Sequence, residues 1–179
     1  PGETVLLLGT GGVSVFAQQF CTLFGARTIA TSSDNAKLER MSAFGAAHTI
    51  NYRETPEWDH AVKDLTGGRG VDRVVEVGGP GTLERSINAV RVGGRIQLIG
   101  TLTGPANRIV PTLLMRKSIS LRGIYVGSRA MFAEMNRAIE AHRLEPVVSE
   151  VFPFEQARLA YHRMREATHF GKMVISLKS

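Results

Sequence analysis

The chain has 179 residues, 43% of them hydrophobic and 21% charged, which is enough for one well-buried core and short for two domains. Its apolar runs fall short of the roughly 18 residues a membrane span needs, and its opening, Pro1-Gly2-Glu3-Thr4, lacks the basic region of a signal peptide. The net charge of +6 is spread from Arg91 to Arg137 without the aromatic-interleaved basic stretch of a nucleic-acid binder, and the lone Cys21 excludes an internal disulfide, so the expectation is a cytoplasmic globular protein with no membrane or nucleic-acid partner.

Short β-branched or aliphatic runs alternate with longer helical patterns, as parallel βαβ units require. The first strand is predicted at Val5 to Leu8 and the second at Arg27 to Thr31. Between them Val13, Phe16, Ala17, Phe20, Cys21 and Phe24 recur at helical spacing, with Gly25 where a C-cap belongs, and predict a buried helix. Leu38, Met41 and Phe44 mark a second helix, opened by Ser33 or Asp34 and closed by Gly45, before a strand at His48 to Asn51. A third helix runs from Glu57 to Leu65, followed by a strand at Arg73 to Val77, a helix at Thr82 to Val90, and strands at Arg95 to Ile99 and Ile119 to Val126. The tail adds a helix at Ala130 to Ala141, a turn at Phe152-Pro153-Phe154, a helix at Glu155 to Arg165 and a strand at Lys172 to Leu177. The expected fold is α/β: a doubly wound parallel six-stranded sheet of the Rossmann type in three αβα layers, strand order 3-2-1-4-5-6, forming a single domain over 1–179.

Gly9-Thr10-Gly11-Gly12-Val13-Ser14 follows the first strand and opens the first helix, a G-x-G-x-x-G pattern with serine in the last place. Gly9 permits a tight turn, and Gly11 lets the backbone approach a pyrophosphate that the helix N-terminus attracts. Thr10 and Ser14 add hydroxyl donors. The motif alone is weak; its place between a strand and a helix in a complete βαβ unit favours a dinucleotide site.

An NAD-preferring domain of this type carries an acidic residue about 20 residues after the glycines, at the end of the second strand. Here that strand ends Ala30-Thr31-Ser32-Ser33. Serine removes the carboxylate that would repel a 2′-phosphate, and Lys37, one turn into the next helix, offers a point charge, which favours NADP(H) over NAD(H). The alternative gives the ribose to Asp34 and leaves Lys37 solvated. A methyltransferase using S-adenosylmethionine also places a glycine turn after its first strand, but it wants an acidic residue where Ser32 stands.

The glycine turn, Gly45-Ala46, Ile50-Asn51-Tyr52-Arg53, Gly67-Gly68-Arg69-Gly70-Val71-Asp72, Glu76-Val77-Gly78-Gly79, Gly93-Gly94-Arg95-Ile96 and His169-Phe170-Gly171-Lys172 together resemble the cofactor domain of the medium-chain dehydrogenases, the zinc-type alcohol dehydrogenase and quinone oxidoreductase superfamily. The resemblance covers nearly the whole chain. It implies pyrophosphate contacts on Gly9 to Ser14 and adenosine ribose or phosphate contacts on Ser32, Ser33 and Lys37. It also implies that Tyr52 lies near the adenosine end, with Val77, Gly78, Ile99, Gly100 and Thr101 around the nicotinamide ribose. Lys172 matches a position where some relatives carry a basic residue near the pyrophosphate, and is taken here as a surface lysine opening a strand. In the alcohol dehydrogenase branch the sixth strand pairs with its copy, so a homodimer is implied.

By the same resemblance the chain is a C-terminal portion of a longer enzyme, lacking the barrel-like domain that supplies the substrate pocket and, in zinc-using members, the metal ligands. Within the chain itself Cys21 sits on an apolar helix pattern and His48, His60, His142, His162 and His169 are scattered, so no zinc site is expected. No catalytic residue stands out, and Glu76 at a strand end suits orienting backbone amides as well as acid–base work. The expected activity is hydride transfer between a nicotinamide and an alcohol or carbonyl. Alternatives are a zinc-free quinone or enoyl reductase of the same superfamily, and a non-catalytic NADP(H)-sensing or interaction module.

Overall fold

The computed structural model describes residues 1–104 and 109–177. In chain order these form β1 (Thr4–Leu8), α1 (Gly12–Leu23), β2 (Arg27–Ser32), α2 (Asn35–Ala43), β3 (His48–Asn51), α3 (Trp58–Leu65), β4 (Val71–Glu76) and α4 (Leu83–Ala89). Then come β5 (Val90–Leu98), α5 (Pro111–Arg116), β6 (Ser120–Gly123), α6 (Arg129–Ala141), β7 (Val148–Pro153), α7 (Ala157–Glu166) and β8 (Lys172–Ser176). The first six strands make one sheet in the order β3-β2-β1-β4-β5-β6, and every pairing in it is parallel. The α/β fold, its strand order and its three layers are those expected from the sequence.

β1 lies between two neighbours and is buried along its whole length, which is why Val5-Leu6-Leu7-Leu8 reads as an unbroken apolar run. Its side chains alternate between the two faces. Leu6 and Leu8 join Trp58 and Val62 of α3 and Leu83 and Ile87 of α4 in one core cluster. Val5 and Leu7 join Val15 of α1, Met41 of α2 and Phe170 in the other. No helix among the described residues is long and apolar enough to cross a membrane.

The face that α1 buries matches the predicted one only in part: Ala17 and Cys21 pack against the second cluster, but the most buried positions are others. Ser14, Val15 and Gln18 face the sheet, while Val13 is 46% and Phe24 63% exposed. Gln18 is tolerated there because its amide is satisfied: Oε1 accepts from Thr28 Oγ1 at 2.6 Å, and Nε2 donates to the Phe44 carbonyl and Thr22 Oγ1, both at 3.3 Å. Cys21 is half-buried against the second cluster, and burial pushes its thiol up to about 11.

The sixth strand is shorter than expected, with Ile124, Tyr125 and Val126 exposed beyond it. β7 ends on the Phe152-Pro153 pair predicted as a turn, and pairs with β8 in a separate two-stranded parallel sheet. α5, with proline in its first turn, was not predicted. α4 runs into β5 without a loop, and Lys117 Nζ caps that junction by donating to the carbonyls of Ile87 (2.7 Å), Asn88 (3.0 Å) and Val90.

β4 begins at Val71, two residues before the predicted start, and so brings Asp72 into the sheet. Asp72 is 5% exposed. Its carboxylate accepts from the Thr4 N–H at 2.8 Å, from Arg69 Nη2 at 2.6 Å and from Arg91 Nε at 2.6 Å, tying the start of β1 to β4 and β5. Burial pushes this carboxyl up, but the hydrogen bonds from Arg69, Thr4 and Arg91 outweigh it and hold it well below the usual carboxylate range.

Asp72→Asn turns a donor toward this cluster. Because the Arg69 and Arg91 side chains are 54% and 32% exposed, the expected loss is about 2 kcal/mol, less than for a fully buried pair. The folded-state value being depressed, the carboxylate's contribution is complete above the unfolded value of about 3.9 and is lost as pH falls below it. Urea titrations should therefore show the gap between wild type and variant at pH 7 and its narrowing toward pH 3; a gap that is independent of pH would contradict this assignment.

Candidate functional site

The carboxyl ends of the central strands open onto a cleft of about 390 Å³. It is lined by Leu8 and Gly9 at the end of β1, Thr31 of β2, Tyr52, Pro56 and Trp58 after β3, and Val77, Gly78, Gly81, Thr82 and Arg85 after β4, with Leu102 and Thr103 after β5. β1 and β4 are neighbours from which the chain proceeds in opposite directions, the switch point where open α/β sheets bind ligands. A smaller hollow of about 150 Å³, lined by Thr4, Arg27 and His48 among others, lies at the opposite, amino ends of the strands.

Gly9 turns the chain out of β1 with φ +74°, in the left-handed region, and its N–H donates to Thr31 Oγ1 at 3.3 Å. A Cβ added at Gly9 or Gly11 would meet nothing within 4 Å, so the turn is open on the side where a ligand approaches. Gly11 is the N-cap of α1 and has no side chain with which to cap it, leaving the first-turn N–H groups and the positive end of the helix to an anion.

The remaining residues of the motif fall into different positions. Ser14 is 1% exposed, and its hydroxyl donates to the Leu8 carbonyl at 2.6 Å. It therefore fastens the helix to the strand. Thr10 is buried, and its carbonyl accepts the Gly171 N–H at 3.2 Å. Gly11 bridges to Gly171 as an isolated β-pair. Above Gly12 the space is occupied by Lys172: a Cβ there would lie 2.5 Å from Lys172 Cδ and 3.2 Å from its Nζ. Lys172 is exposed and opens β8, as read from sequence, and its side chain also extends over the glycine turn.

At the end of β2 Ser32 is buried; its Oγ accepts the Asp34 N–H at 3.3 Å and its carbonyl the Tyr52 N–H at 3.0 Å. Asp34 is the N-cap of α2, its Oδ1 accepting the Lys37 N–H at 3.2 Å. Lys37 Nζ donates to the Ala167 carbonyl at 2.8 Å, which ties α2 to the tail. Ser33 lies half-buried between Ser32 and Asp34. Asn51, Asn35 and Glu54 hydrogen-bond to one another and hold the loop that carries Tyr52 into the cleft.

At the end of β4 the fully buried Glu76 accepts four hydrogen bonds: from the N–H groups of Gly78 (2.8 Å) and Gly79 (2.9 Å), from Thr82 Oγ1 (2.6 Å) and from Ser86 Oγ. It orients backbone amides, one of the two roles left open by the sequence. The Ile99 and Gly100 N–H groups both donate to the Glu76 carbonyl, at 2.8 and 3.3 Å. A Cβ at Gly100 would stand 2.6 Å from the Val77 oxygen, so glycine permits the loops after β4 and β5 to touch. Val77, Gly78, Ile99, Gly100 and Thr101 are thereby gathered at one end of the cleft, with Val77 and Gly78 in its lining and Thr101 exposed beside it. Thr103 locks the same junction, donating from N and Oγ1 to the Gly78 carbonyl at 2.9 and 2.8 Å. Buried Asp59 accepts from Arg85 Nη1 at 2.5 Å and positions that guanidinium at the cleft.

Trp58, Thr82, Arg85, Leu102 and Thr103 are lining residues that sequence reasoning missed; they lie outside the motifs, and only the sheet order brings them together. Among the described residues no group of three or more His, Cys, Asp or Glu is arranged to hold a metal ion. A zinc ion therefore finds no ligand set in them.

The sequence profile of the zinc-binding dehydrogenases matches residues 12–141. The chain belongs to that family. Over 99% of its length the chain is 42% identical to a zinc-type alcohol dehydrogenase-like protein of Schizosaccharomyces pombe, of which it covers 52%. Over 98% it is 30% identical to a quinone oxidoreductase of Sus scrofa, of which it covers 55%. It superposes on an NAD-dependent alcohol dehydrogenase with a TM-score of 0.91 at 37% identity, covering 99% of this chain and 52% of that one. On the mycobacterial protein Rv1454c, solved in complex with NADPH, the TM-score is 0.83 at 27% identity, with 97% and 56% covered. The chain thus spans about half the length of the curated relatives it matches.

Replacing Glu76 removes the acceptor on which the β4–α4 loop hangs. Glu76→Gln strands at least one buried donor and is expected to cost about 3 kcal/mol in denaturant unfolding, whereas Thr82→Ala, which removes a single donor, costs about 1 kcal/mol. Equal costs for the two variants would show that the carboxylate is not the hub described here.

Proposed function

We propose that the chain is the cofactor-binding part of an oxidoreductase, holding NADP(H) in preference to NAD(H) for hydride transfer to or from an alcohol or carbonyl. The observation that carries this reading is the open glycine turn at the head of the strand-end cleft, with an uncapped helix N-terminus behind it. The backbone from Gly9 to Ser14, with Gly11, Gly12 and Val13 at the helix start, receives the pyrophosphate, and Lys172 adds a cation over the same turn. Ser32, Ser33 and Lys37 take the adenosine ribose and its phosphate, and Tyr52 the adenosine end. Val77, Gly78, Ile99, Gly100 and Thr101 flank the nicotinamide ribose. The nicotinamide ring supplies or accepts the hydride; the chain's task is to fix its orientation.

The preference for the phosphorylated cofactor rests on Ser32, which brings no carboxylate to the end of β2, and on Asp34, whose carboxylate is engaged as a helix cap. Zinc, where the enzyme uses it, belongs to ligands outside the described residues. A second reading is a zinc-free quinone or enoyl reductase, favoured by the 30% identity to a quinone oxidoreductase and to a 2-haloacrylate reductase of a Burkholderia species. β6 is the edge of the large sheet, which supports pairing with a second copy in a homodimer.

Calorimetric titration with NADPH and NADH tests the cofactor assignment. NADPH should bind more tightly, and Lys37→Ala should weaken it roughly tenfold, the loss of one charge-assisted contact, while leaving NADH unchanged. Equal binding of the two nucleotides refutes the preference, and failure of both refutes the nicotinamide site.

A further inference from the structure

The segment joining α7 to β8 is strapped across the nucleotide end of the sheet. At one end the Ala167 carbonyl accepts Lys37 Nζ at 2.8 Å; at the other the Gly171 N–H donates to the Thr10 carbonyl at 3.2 Å, and Lys172 covers Gly12. Between them Phe170 is buried as an anchor, with the Arg40 guanidinium 4.1 Å from its ring centroid. His169 therefore sits between the lysine at the end of the β2–α2 connection and the lysine over the glycine turn. Its ring is half-buried, and its Nδ1 is buried with no hydrogen-bond partner.

Of the charged side chains on the elements around it, Lys37 of α2 and Lys172 of β8 act on the ring, both cations, and Arg40 of α2 lies over the neighbouring Phe170; α2 also carries Glu39, and α7 ends on Arg165 and Glu166. Asp34, the acidic residue at the start of α2, has its carboxylate committed to the Lys37 N–H. Burial first, and then Lys37 and Lys172, push the His169 imidazole below the usual histidine range. A neutral ring with an orphaned buried Nδ1 keeps its proton on Nε2, because a buried N–H without an acceptor is the costlier arrangement. Gathering like charges around a histidine is unfavourable until an anion joins them.

We propose that His169 is a specificity-determining residue of the nucleotide site, donating from Nε2 to the 2′-phosphate that Lys37 also receives. This rests on the NADP(H) reading above. Lys37 gives one of its three N–H groups to Ala167, which orients the ammonium and leaves two for the phosphate. Ser32 and Asp34 were legible in the sequence as neighbours of Lys37; His169 was not, being 132 positions away from Lys37 and joined to it only through the strap.

The test is calorimetry of NADPH and NADH binding to wild type, His169→Gln and His169→Arg, with the wild-type and His169→Gln titrations repeated in two buffers of different ionisation enthalpy near pH 6.5. His169→Gln should raise the NADPH Kd roughly fivefold and leave the NADH Kd unchanged, and His169→Arg, which restores a donor and a charge, should keep the preference. Proton uptake on NADPH binding should be larger for wild type than for His169→Gln, a comparison in which the phosphate's own titration near about 6 cancels. If NADPH affinity is unchanged in His169→Gln, or both nucleotides weaken equally while His169→Arg is no better, the proposal is overturned. Wild type failing to prefer NADPH overturns the cofactor reading itself; wild type preferring it with an unaffected His169→Gln overturns only the role of His169.

Discussion

Everything at the carboxyl ends of the strands follows from the burial of β1 on both faces and both edges. A strand so placed is free of polar side chains over Val5 to Leu8, and its N–H and C=O groups are consumed by β2 on one side and β4 on the other. Parallel pairing forbids a tight return, so each neighbour is reached through a helix. Because β2 and β4 flank the same strand, the chain leaves β1 toward one edge and later returns to build toward the other. The gap between those two excursions is the cleft, and the turn at its head needs glycine because the strand ends against Thr31 and must reverse at φ +74° at Gly9.

Around this frame the buried polar groups act as fasteners for the loops. Asp72 joins three strands at the amino ends, Glu76 holds the β4–α4 loop at the carboxyl ends, and Gln18 links α1 to β2 and to the end of α2. Asp72 and Glu76 are acceptors matched to several donors, and Gln18 accepts one hydrogen bond and donates two, the condition under which a buried polar side chain stabilises one geometry instead of costing desolvation. Asp59, by contrast, reaches outward through Arg85 and places a guanidinium on the cleft wall. A site whose walls are loops is rigid here because the loops hang from carboxylates set in the sheet and helices.

What the sequence revealed depended on how local each signal is. The apolar cores of the six strands, the glycine turn and the order of the sheet were legible because period and composition carry them within a few residues. The start of β4 was missed because Asp72 interrupts the apolar pattern, and only its three donors make it a sheet residue. Phe16, Phe20 and Phe24 outweighed Gln18 in choosing the buried face of α1, although satisfied hydrogen bonds let the glutamine win. Phe152-Pro153 reads as a turn, since proline is unsuited to a central strand; β7 accommodates it at its end, in a sheet of two strands where no second neighbour needs its missing N–H. Within the site, Tyr52, Val77 and Gly78 were found in the cleft lining, while Ser14 lies beneath the turn and Lys172 above it.

The relation of the tail to the turn has an energetic meaning. The two-stranded β7–β8 sheet is separate from the six-stranded one, and its connection to the glycine turn runs through the Gly11–Gly171 bridge, the Thr10 carbonyl and the side chain of Lys172. An anion bound at that turn would attract Lys172 and, through the strap, draw on Lys37, two contacts that also hold the tail in place. By linkage, whatever stabilises the docked tail favours the anion and whatever binds the anion favours the docked tail. Lys37 and Lys172, 135 positions apart in the sequence, therefore share one end of the sheet.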